Sequence, residues 1–150
     1  MECRFENHDL VTDHRSQMID VTDDVLGVVE RSEVENGLAV VYSPHTTCAV
    51  VINEPEDGFG CDFADLLERL APSEGVYYRH DDLDVRTQGI EEDTAAFPNG
   101  HSHCRSAVLS SSQTIPIIDG RLLLGAWQRI FFCELDRARP RKVLIQVLGT

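Results

Sequence analysis

The sequence predicts a single domain, spanning residues 1–150, that combines helices with β-strands. Three observations predict this class. Apolar residues recur at helical spacing in some segments, and several short runs are rich in β-branched residues, as is typical of strands. The third is length, because about 150 residues suffice to bury one hydrophobic core. No internal repeat, linker or low-complexity tract divides the chain.

The N-terminal half supplies strands and one helix. Thr22 is the predicted N-cap of a helix over residues 22–35, with aspartates in the first turn that complement the helix dipole and Gly37 just past the end. Weak alternation predicts an edge strand, and short apolar runs predict two further strands: residues 3–11, 38–42 and 49–52. The last two strands bracket a polar corner, where a scaffold can present reactive side chains.

A second helix is predicted in the segment that ends at Pro72. The run Gly58-Phe59-Gly60 is expected to interrupt the regular pattern before this helix, so Asp62 would lie in its first turn. The apolar residues of the helix fall at i, i+3, i+4 and i+7: Phe63, Leu66, Leu67 and Leu70.

The second half is predicted to contain a long loop, a short helix and more strands. Residues 81–99 are rich in acids and lack apolar periodicity, which predicts a functional or mobile loop. A third helix over residues 101–109 follows. A hairpin turning at Asp119-Gly120 and two further strands complete the chain. The hairpin arms and the two strands are residues 113–118, 121–124, 127–135 and 142–148.

The chain is strongly acidic, with 26 Asp and Glu against 13 Lys and Arg and a formal charge of −13. Because nucleic acids and anionic lipids attract basic surfaces, this charge argues against a nucleic-acid or membrane partner. No stretch reaches the roughly 18 apolar residues of a membrane span and no signal-peptide pattern opens the chain, so we expect a cytoplasmic protein. A dense carboxylate surface also suits concentrated salt, and a halophilic source is a further hypothesis beside an ordinary acidic protein.

Three histidines stand at boundaries of predicted elements: His45, His80 and His103. Catalytic zinc commonly takes three protein ligands and leaves one position open, so these histidines are a candidate metal site. Asp62 or Glu134 could be a fourth ligand or hold a ligand in place. Spacing alone does not make the histidines converge, and solvated loop histidines are the competing interpretation.

A second candidate site would bind an anion. Residues 110–114 offer hydroxyls and backbone N–H groups between two elements, and Arg139 and Arg141 could pair with a phosphate. A serine-rich turn with surface arginines is the competing interpretation. Gln128 beside Trp127 could place an amide against an aromatic wall, although a tryptophan is more often part of a core.

Several motifs taken together resemble one family. Their order is Pro44-His45-Thr46-Thr47, Asn53-Glu54, Asp62, Tyr78-Arg79-His80, Asn99-Gly100-x-x-His103, Asp119-Gly120-Arg121-Leu122, Gly125-x-Trp127-Gln128, Glu134-x-Asp136 and Arg139-Pro140-Arg141. From about residue 18 to the C-terminus the chain resembles the YjbQ-like family, whose members are often labelled secondary thiamine-phosphate synthases. The combination of H-T-T, the later histidines and G-x-W-Q carries the resemblance.

The resemblance implies an α+β fold with a mixed or antiparallel, β-sandwich-like core flanked by two or three helices. It also implies a homotrimer with a polar pocket at or near a subunit boundary. A divalent metal ion, expected to be zinc, would be held there by His45, His80 and His103. The implied catalytic residues are Asn53, Asp62, Gln128 and Glu134. The implied substrate-binding residues are Thr46, Thr47, Asn99, Ser112, Arg139 and Arg141.

The implied activity joins a pyrimidine diphosphate to a thiazole phosphate and releases pyrophosphate, with a metal and arginines stabilising the departing charge. Two alternatives stay open. One is a metal-dependent hydrolase of a small phosphorylated or acyl compound, with Asp62 or Glu134 as base. The other is a non-catalytic trimeric module that binds a metal or a small anion. Ser110 replaces the usual glycine of the family and Arg137-Ala138 its usual Gly-Pro, which leaves the substrate open.

Overall fold

The structure, a computed structural model, describes residues 1–90 and 96–150. Within these ranges it contains three α-helices and eight β-strands. The helices are α1 (Thr22–Ser32), α2 (Asp57–Leu70) and α3 (Gly100–Val108). The strands are β1 (Glu2–Val11), β2 (Met18–Asp20), β3 (Gly37–Tyr42), β4 (Cys48–Asn53), β5 (Ser112–Ile118), β6 (Arg121–Leu122), β7 (Arg129–Glu134) and β8 (Pro140–Gly149).

The strands form two antiparallel sheets. One sheet has the order β1-β8-β3-β5-β6 and the other the order β2-β7-β4. Strand β1 pairs with β8 along its whole length and forms the edge of its sheet, as the N-terminal alternation predicts. The predicted α+β class, with a sandwich-like core flanked by helices, is confirmed, and every described strand pair is antiparallel rather than mixed.

The main hydrophobic core lies between the two sheets, and α1 closes it. Alternate residues of β3 and β8 point into this core, among them Val41 and Ile145, while α1 contributes Val25 and Val28. Phe132 of β7 enters from the other sheet. Each of these fully buried side chains contributes about 1.5–3 kcal/mol to stability.

A smaller core lies on the opposite face of the β2-β7-β4 sheet, beneath α2. Phe131 and Cys133 of β7 pack there with Leu67 of α2. Because successive residues of a strand point to opposite faces, β7 is buried on both sides. This double burial explains why its sequence is continuously apolar rather than alternating.

Helix α2 begins earlier than the sequence predicts. The prediction that Gly58-Phe59-Gly60 interrupts the regular pattern before the helix is wrong, because these residues lie in the first turn of the helix. The Glu56 carboxylate caps this turn by accepting the backbone N–H groups of Gly58 and Phe59, both at 2.7 Å. Asp62 therefore lies in the second turn, where it is exposed.

Helix α1 is also bounded differently from its prediction. Thr22 is the first helical residue rather than the N-cap, and its hydroxyl accepts the backbone N–H of Ile130 at 2.8 Å. The helix ends at Ser32 because Glu33 adopts a left-handed conformation with φ of 56°. Gly37 instead begins β3, where a Cβ would collide with the backbone oxygen of Leu148.

The C-terminal hairpin is confirmed, and its turn residues Asp119 and Gly120 both have positive φ values, as a two-residue hairpin turn requires. The strand predicted from residue 127 begins only at Arg129. Before it, the side chain of Gln128 accepts the backbone N–H of Gly125 at 2.8 Å and closes a tight turn. Trp127 is 76% exposed, so the expectation that it belongs to a core is wrong.

In the part of the chain that the structure describes, no helix has the length and apolar character needed to cross a bilayer.

Candidate functional site

A cavity of about 390 Å³ lies where four parts of the chain meet. These parts are the corner between β3 and β4, the loop after residue 79, the start of α3, and the segment between β7 and β8. Its volume is within the range of roughly 300–1,000 Å³ for small-molecule sites. Three histidines and four arginines line it: His45, His80, His103, Arg86, Arg137, Arg139 and Arg141. None of the lining residues in the described ranges is acidic. We call this site the basic cavity.

The corner between β3 and β4 contributes His45, Thr46 and Thr47. The two strands belong to different sheets, so the chain crosses between the sheets at this point. His45 Nε2 accepts the backbone N–H of Lys142 at 2.9 Å, which fixes the ring and places the proton of the neutral form on Nδ1. Burial, followed by the charge of Arg141, lowers the pKa of His45, so its ring is neutral at pH 7.

Asp81 organises the side of the cavity that lies between the loop and α3. Its Oδ1 accepts the backbone N–H groups of Asn99 and Gly100, both at 2.9 Å, at the N-terminus of α3. The same oxygen lies 3.2 Å from His80 Nδ1. A carboxylate can only accept, so this contact, which is shorter than the 3.5 Å between Nδ1 and Arg86 Nη1, favours the tautomer with the proton on Nδ1 and Nε2 unprotonated. Gly100 has no room for a side chain, because a Cβ would lie 2.6 Å from Tyr78 Cβ.

His103 and His80 form the centre of the cavity wall. Their ring centroids are 4.3 Å apart. Burial, and then the neighbouring His80, lowers the pKa of His103, so that ring is neutral at pH 7. A neutral imidazole can accept a proton, and it can also become a cation once an anion lies beside it.

Arg141 is held from behind by a buried carboxylate. Glu134 is 0% exposed, and its two oxygens accept the Nε and Nη2 of Arg141, both at 2.7 Å. Thr12 donates its hydroxyl to Glu134 at 2.8 Å, and the backbone N–H of Asp136 donates at 2.9 Å. Arg141 Nη2 also contacts Thr47 Oγ1 at 3.3 Å. Glu134 is therefore fully engaged in holding Arg141.

Arg137 and Arg139 share one carboxylate. Asp136 Oδ2 lies 3.5 Å from Arg137 Nη1 and 3.6 Å from Arg139 Nη1, and it accepts the side-chain amide of Asn99 at 3.2 Å. The Arg137 guanidinium also stacks over the ring of Phe97 at 4.1 Å. One buried carboxylate thus faces two guanidinium groups.

Arg86 brings positive charge from the loop that follows His80. It donates to the backbone oxygens of His80 at 3.2 Å, Gln88 at 2.9 Å and Gly89. These acceptors are neutral, and within residues 1–90 and 96–150 Arg86 has no carboxylate partner. Among the described residues, the hydrogen bonds of Arg86 therefore hold its guanidinium without neutralising its charge.

Comparisons with known proteins identify the family. Residues 6–150 match the family model described as UPF0047 protein YjbQ-like. The chain belongs to this family. A UPF0047 protein of Archaeoglobus fulgidus is 40% identical over 139 residues, which cover 93% of this chain and 97% of the relative. A UPF0047 protein of Methanothermobacter thermautotrophicus is 38% identical over 149 residues, which cover 99% of this chain and 94% of the relative. The crystal structure of a hypothetical protein from Aeropyrum pernix K1 superposes with a TM-score of 0.81 at 32% identity. The match covers 98% of this chain and 99% of that chain.

The structure brings together most of the residues that the YjbQ-like resemblance implies for the site. The following line the basic cavity: His45, His80, His103, Thr46, Thr47, Asn99, Arg139 and Arg141. Glu134 lies behind the cavity wall and does not line it. The catalytic and substrate-binding roles of these residues stay predictions.

Four further residues implied by the family lie outside the basic cavity. Asn53 ends β4 and its side chain accepts the backbone N–H of Glu54. Asp62 is exposed on α2, and Gln128 closes the turn before β7. Ser112 begins β5, where its backbone N–H donates to Ser110 Oγ at 3.2 Å. Within one chain these positions do not converge on the histidines.

In this structure His45 lacks the free ring nitrogen that the three-histidine metal site implied by the family resemblance would need. Its Nε2 accepts the backbone N–H of Lys142, so the proton of the neutral ring lies on Nδ1. His80 differs, because the contact of its Nδ1 with Asp81 leaves Nε2 available, as in metal-binding histidines. Across residues 1–90 and 96–150, no group of three His, Cys, Asp or Glu side chains has the geometry to hold a metal ion. Guanidinium groups around the histidines also repel a cation. The zinc prediction therefore rests on the resemblance.

Sequence reasoning missed Arg86, Arg137, Asp81 and Phe97. Arg86 is the only basic residue of the acidic loop, and that isolation is the signal that could have identified it. Arg137 appears in the sequence as a departure from the family pattern. The Asp81 carboxylate accepts the backbone N–H of Asn99, which lies 18 residues later in the chain, and no local spacing reveals such a contact.

Proposed function

We propose that this protein binds the phosphate or diphosphate group of a small molecule in the basic cavity and acts on it there as an enzyme. One observation carries the proposal: four arginines and three histidines line the cavity in a chain whose formal charge is −13. Arginine forks match phosphate oxygens in two-point hydrogen bonds. An acidic protein that concentrates guanidinium groups in one small cavity has the charge distribution expected of an anion site.

The reaction that we propose is the transfer implied by the family resemblance, in which a diphosphate leaves as pyrophosphate. Arg86 and Arg139 would hold the diphosphate and stabilise the charge that develops on it. The ring of His103 is neutral at pH 7, so it can accept a proton from a reacting group of the substrate. Thr46, exposed at the cavity wall, can donate or accept a hydrogen bond to orient the substrate.

Non-catalytic anion binding is the second candidate. It is favoured by the absence, within the described ranges, of a carboxylate on the cavity wall that could act as a general base. A hydrolase with Asp62 or Glu134 as base has no support from their positions, because Asp62 lies on α2 and Glu134 is buried against Arg141.

Turnover separates the two candidates. The assay would mix a pyrimidine diphosphate and a thiazole phosphate with the protein and measure thiamine phosphate, with zinc added or with chelator. We expect product with the parent protein, at least a tenfold loss (about 1.4 kcal/mol) in His103→Ala and Arg139→Gln, and little loss in the exposed control Arg121→Gln. If none of these proteins forms product while all but Arg139→Gln bind pyrophosphate, the non-catalytic candidate holds.

We retain the divalent metal as a proposal that rests on the family resemblance. Elemental analysis of protein purified without an affinity tag would measure it directly. About one zinc ion per chain in the parent and none in His103→Ala would support it. No metal in the parent after reconstitution would contradict it.

We also propose that the chain assembles as a homotrimer. Support comes from large apolar side chains in the β6–β7 connection, where Leu123 is 56% and Trp127 is 76% exposed. A partner subunit covering them would also bring Gln128 into an interface. Sedimentation equilibrium should give three chains per particle in the parent and fewer in Trp127→Glu; a monomeric parent would contradict the trimer.

A further inference from the structure

A second cavity adjoins the basic cavity and differs from it in chemistry. It has a volume of about 620 Å³ and shares Pro44, His45, Thr46 and His103 with the basic cavity. The two spaces are therefore neighbours across a common wall of two imidazoles, a threonine and a proline. Beyond that wall its lining is rich in serine: Ser43, Ser106, Ser110 and Ser111. We call this space the serine groove.

The serine groove carries no lysine, arginine or carboxylate among its lining residues in the described ranges. Beyond the shared imidazoles, its polar side chains carry hydroxyls, which suit neutral donors and acceptors rather than an anion. Ser106 donates to the backbone oxygen of Cys48 at 2.8 Å, and Ser110 to that of Ser112 at 2.7 Å. Each of these hydroxyl oxygens keeps a lone pair that can accept from a ligand.

Ser43 is the hydroxyl that the protein itself does not satisfy. Its residue is 1% exposed, and Oγ has no hydrogen-bond partner within the described part of the chain. Buried polar groups are nearly always paired, so an orphan at the edge of a cavity points to a partner from outside the protein. Its backbone N–H is already bound to Ser111 O at 2.8 Å, which holds the residue in place.

We propose that the serine groove is a second subsite, which binds the neutral, hydrogen-bonding organic part of a phosphate ester whose phosphate lies in the basic cavity. This inference rests on the proposed function and names its substrate class: phosphate or diphosphate esters of a hydroxyl- or amide-bearing molecule. The bond between the phosphate and the organic part then lies against the shared wall of His45 and His103. That placement puts the two imidazoles at the bond that a transfer reaction breaks.

The test compares ligands that fill one cavity with ligands that fill both. Titration calorimetry would measure inorganic pyrophosphate and inorganic phosphate for the basic cavity alone. Ribose 5-phosphate and uridine 5′-monophosphate would probe both cavities, and phenyl phosphate would be the apolar comparison. We expect at least one of the polar esters to bind about tenfold tighter than inorganic phosphate, and phenyl phosphate to gain less.

Two variants tie the gain to the serine groove. Ala107→Phe would fill the groove from the exposed face of α3, and Ser43→Ala removes only the orphan hydroxyl. We expect Ala107→Phe to bring the affinity for the polar ester within about twofold of the affinity for inorganic phosphate. We expect Ser43→Ala to lower the affinity for the ester about threefold, and both variants to bind pyrophosphate as the parent does. The matched control is Val108→Phe, which adds the same bulk at a 63% exposed neighbour that does not line the groove.

The outcomes separate the subsite from the function on which it rests. If pyrophosphate binds but neither polar ester exceeds phosphate, the subsite is overturned and the anion site stands. The same holds if Ala107→Phe leaves the gain intact, or if phenyl phosphate gains as much as the polar esters. If pyrophosphate itself does not bind, the proposed function fails and the subsite fails with it.

Discussion

At the residue scale, the basic cavity depends on carboxylates that do not face it. Glu134 and Asp136 stand behind the arginines, and Asp81 stands behind His80. Each holds a positive or polar group in one orientation toward the cavity. A flexible arginine loses considerable side-chain entropy on binding, so holding it in advance strengthens anion binding.

The first prediction at this scale concerns Glu134→Gln. The substitution leaves the buried Arg141 without its carboxylate, so we expect the free energy of unfolding to fall by about 3–5 kcal/mol. Denaturant unfolding measures it, with the exposed Glu74→Gln as control. A loss below about 1 kcal/mol would show that the pair contributes little to stability.

The second prediction concerns Asp81→Ala. The backbone N–H groups of Asn99 and Gly100 lose their acceptor, so we expect a loss of about 1 kcal/mol in unfolding free energy. The ring of His80 also loses the partner that fixes its proton on Nδ1, so nitrogen chemical shifts should change from one tautomer to a mixture. The neighbouring Asp82→Ala, which removes the acceptor of the Tyr77 hydroxyl instead, is the control. An unchanged His80 tautomer in Asp81→Ala would contradict this role.

The sequence anticipated His45, His80, His103, Arg139 and Arg141 because they follow the ends of strands or belong to recognisable motifs. It did not anticipate which carboxylates hold them, because those contacts join distant parts of the chain. Catalytic roles were assigned to residues such as Gln128 on motif alone, and the structure places that side chain in a turn.

At the element scale, periodicity predicted where the helices and strands lie, but tertiary contacts set their ends. The side chain of Glu56 starts α2 before two glycines that propensity alone would exclude. The Thr22 hydroxyl accepts the backbone N–H of Ile130 in β7 rather than capping its own helix. Strand β2, only three residues long, was not predicted because its pairing with β7 rather than its own pattern defines it.

Helix α3 carries a prediction about pH. The buried His101 donates Nε2–H to Ser102 Oγ, which in turn donates to Leu135 O at 2.7 Å. Burial, and then the charges of Arg15 and Arg105, lower the pKa of His101 to about 4. Because the unfolded chain binds this proton with a pKa near 6.5, stability is full above that pH and is lost as the pH falls from 6.5 to 4.

His101→Gln tests this contribution by comparison with the parent protein. The difference in unfolding free energy between them should shrink by about 1–3 kcal/mol as the pH falls from 7 to 4, because only the parent carries the titrating group. Chemical unfolding at several pH values measures it, with the exposed His14→Gln as control. A difference that stays constant with pH would contradict the assignment.

At the scale of the whole molecule, charge is divided between an acidic surface and one basic cavity. The formal charge of −13 makes the folded chain repel itself at low ionic strength. At 1 M salt the screening length is about 3 Å, so the repulsion fades. We expect the thermal midpoint to rise between 0.1 and 1 M potassium chloride, as scanning calorimetry would measure. A midpoint that does not rise would count against the hypothesis of a halophilic source.

The same division of charge makes pyrophosphate binding the most direct test of the proposed function. Titration calorimetry in low salt should show one saturable site per chain, weakened at least tenfold in Arg139→Gln and unchanged in Arg121→Gln. That result would establish the basic cavity as the anion site. Absence of binding in the parent protein, or equal loss in both variants, would contradict it.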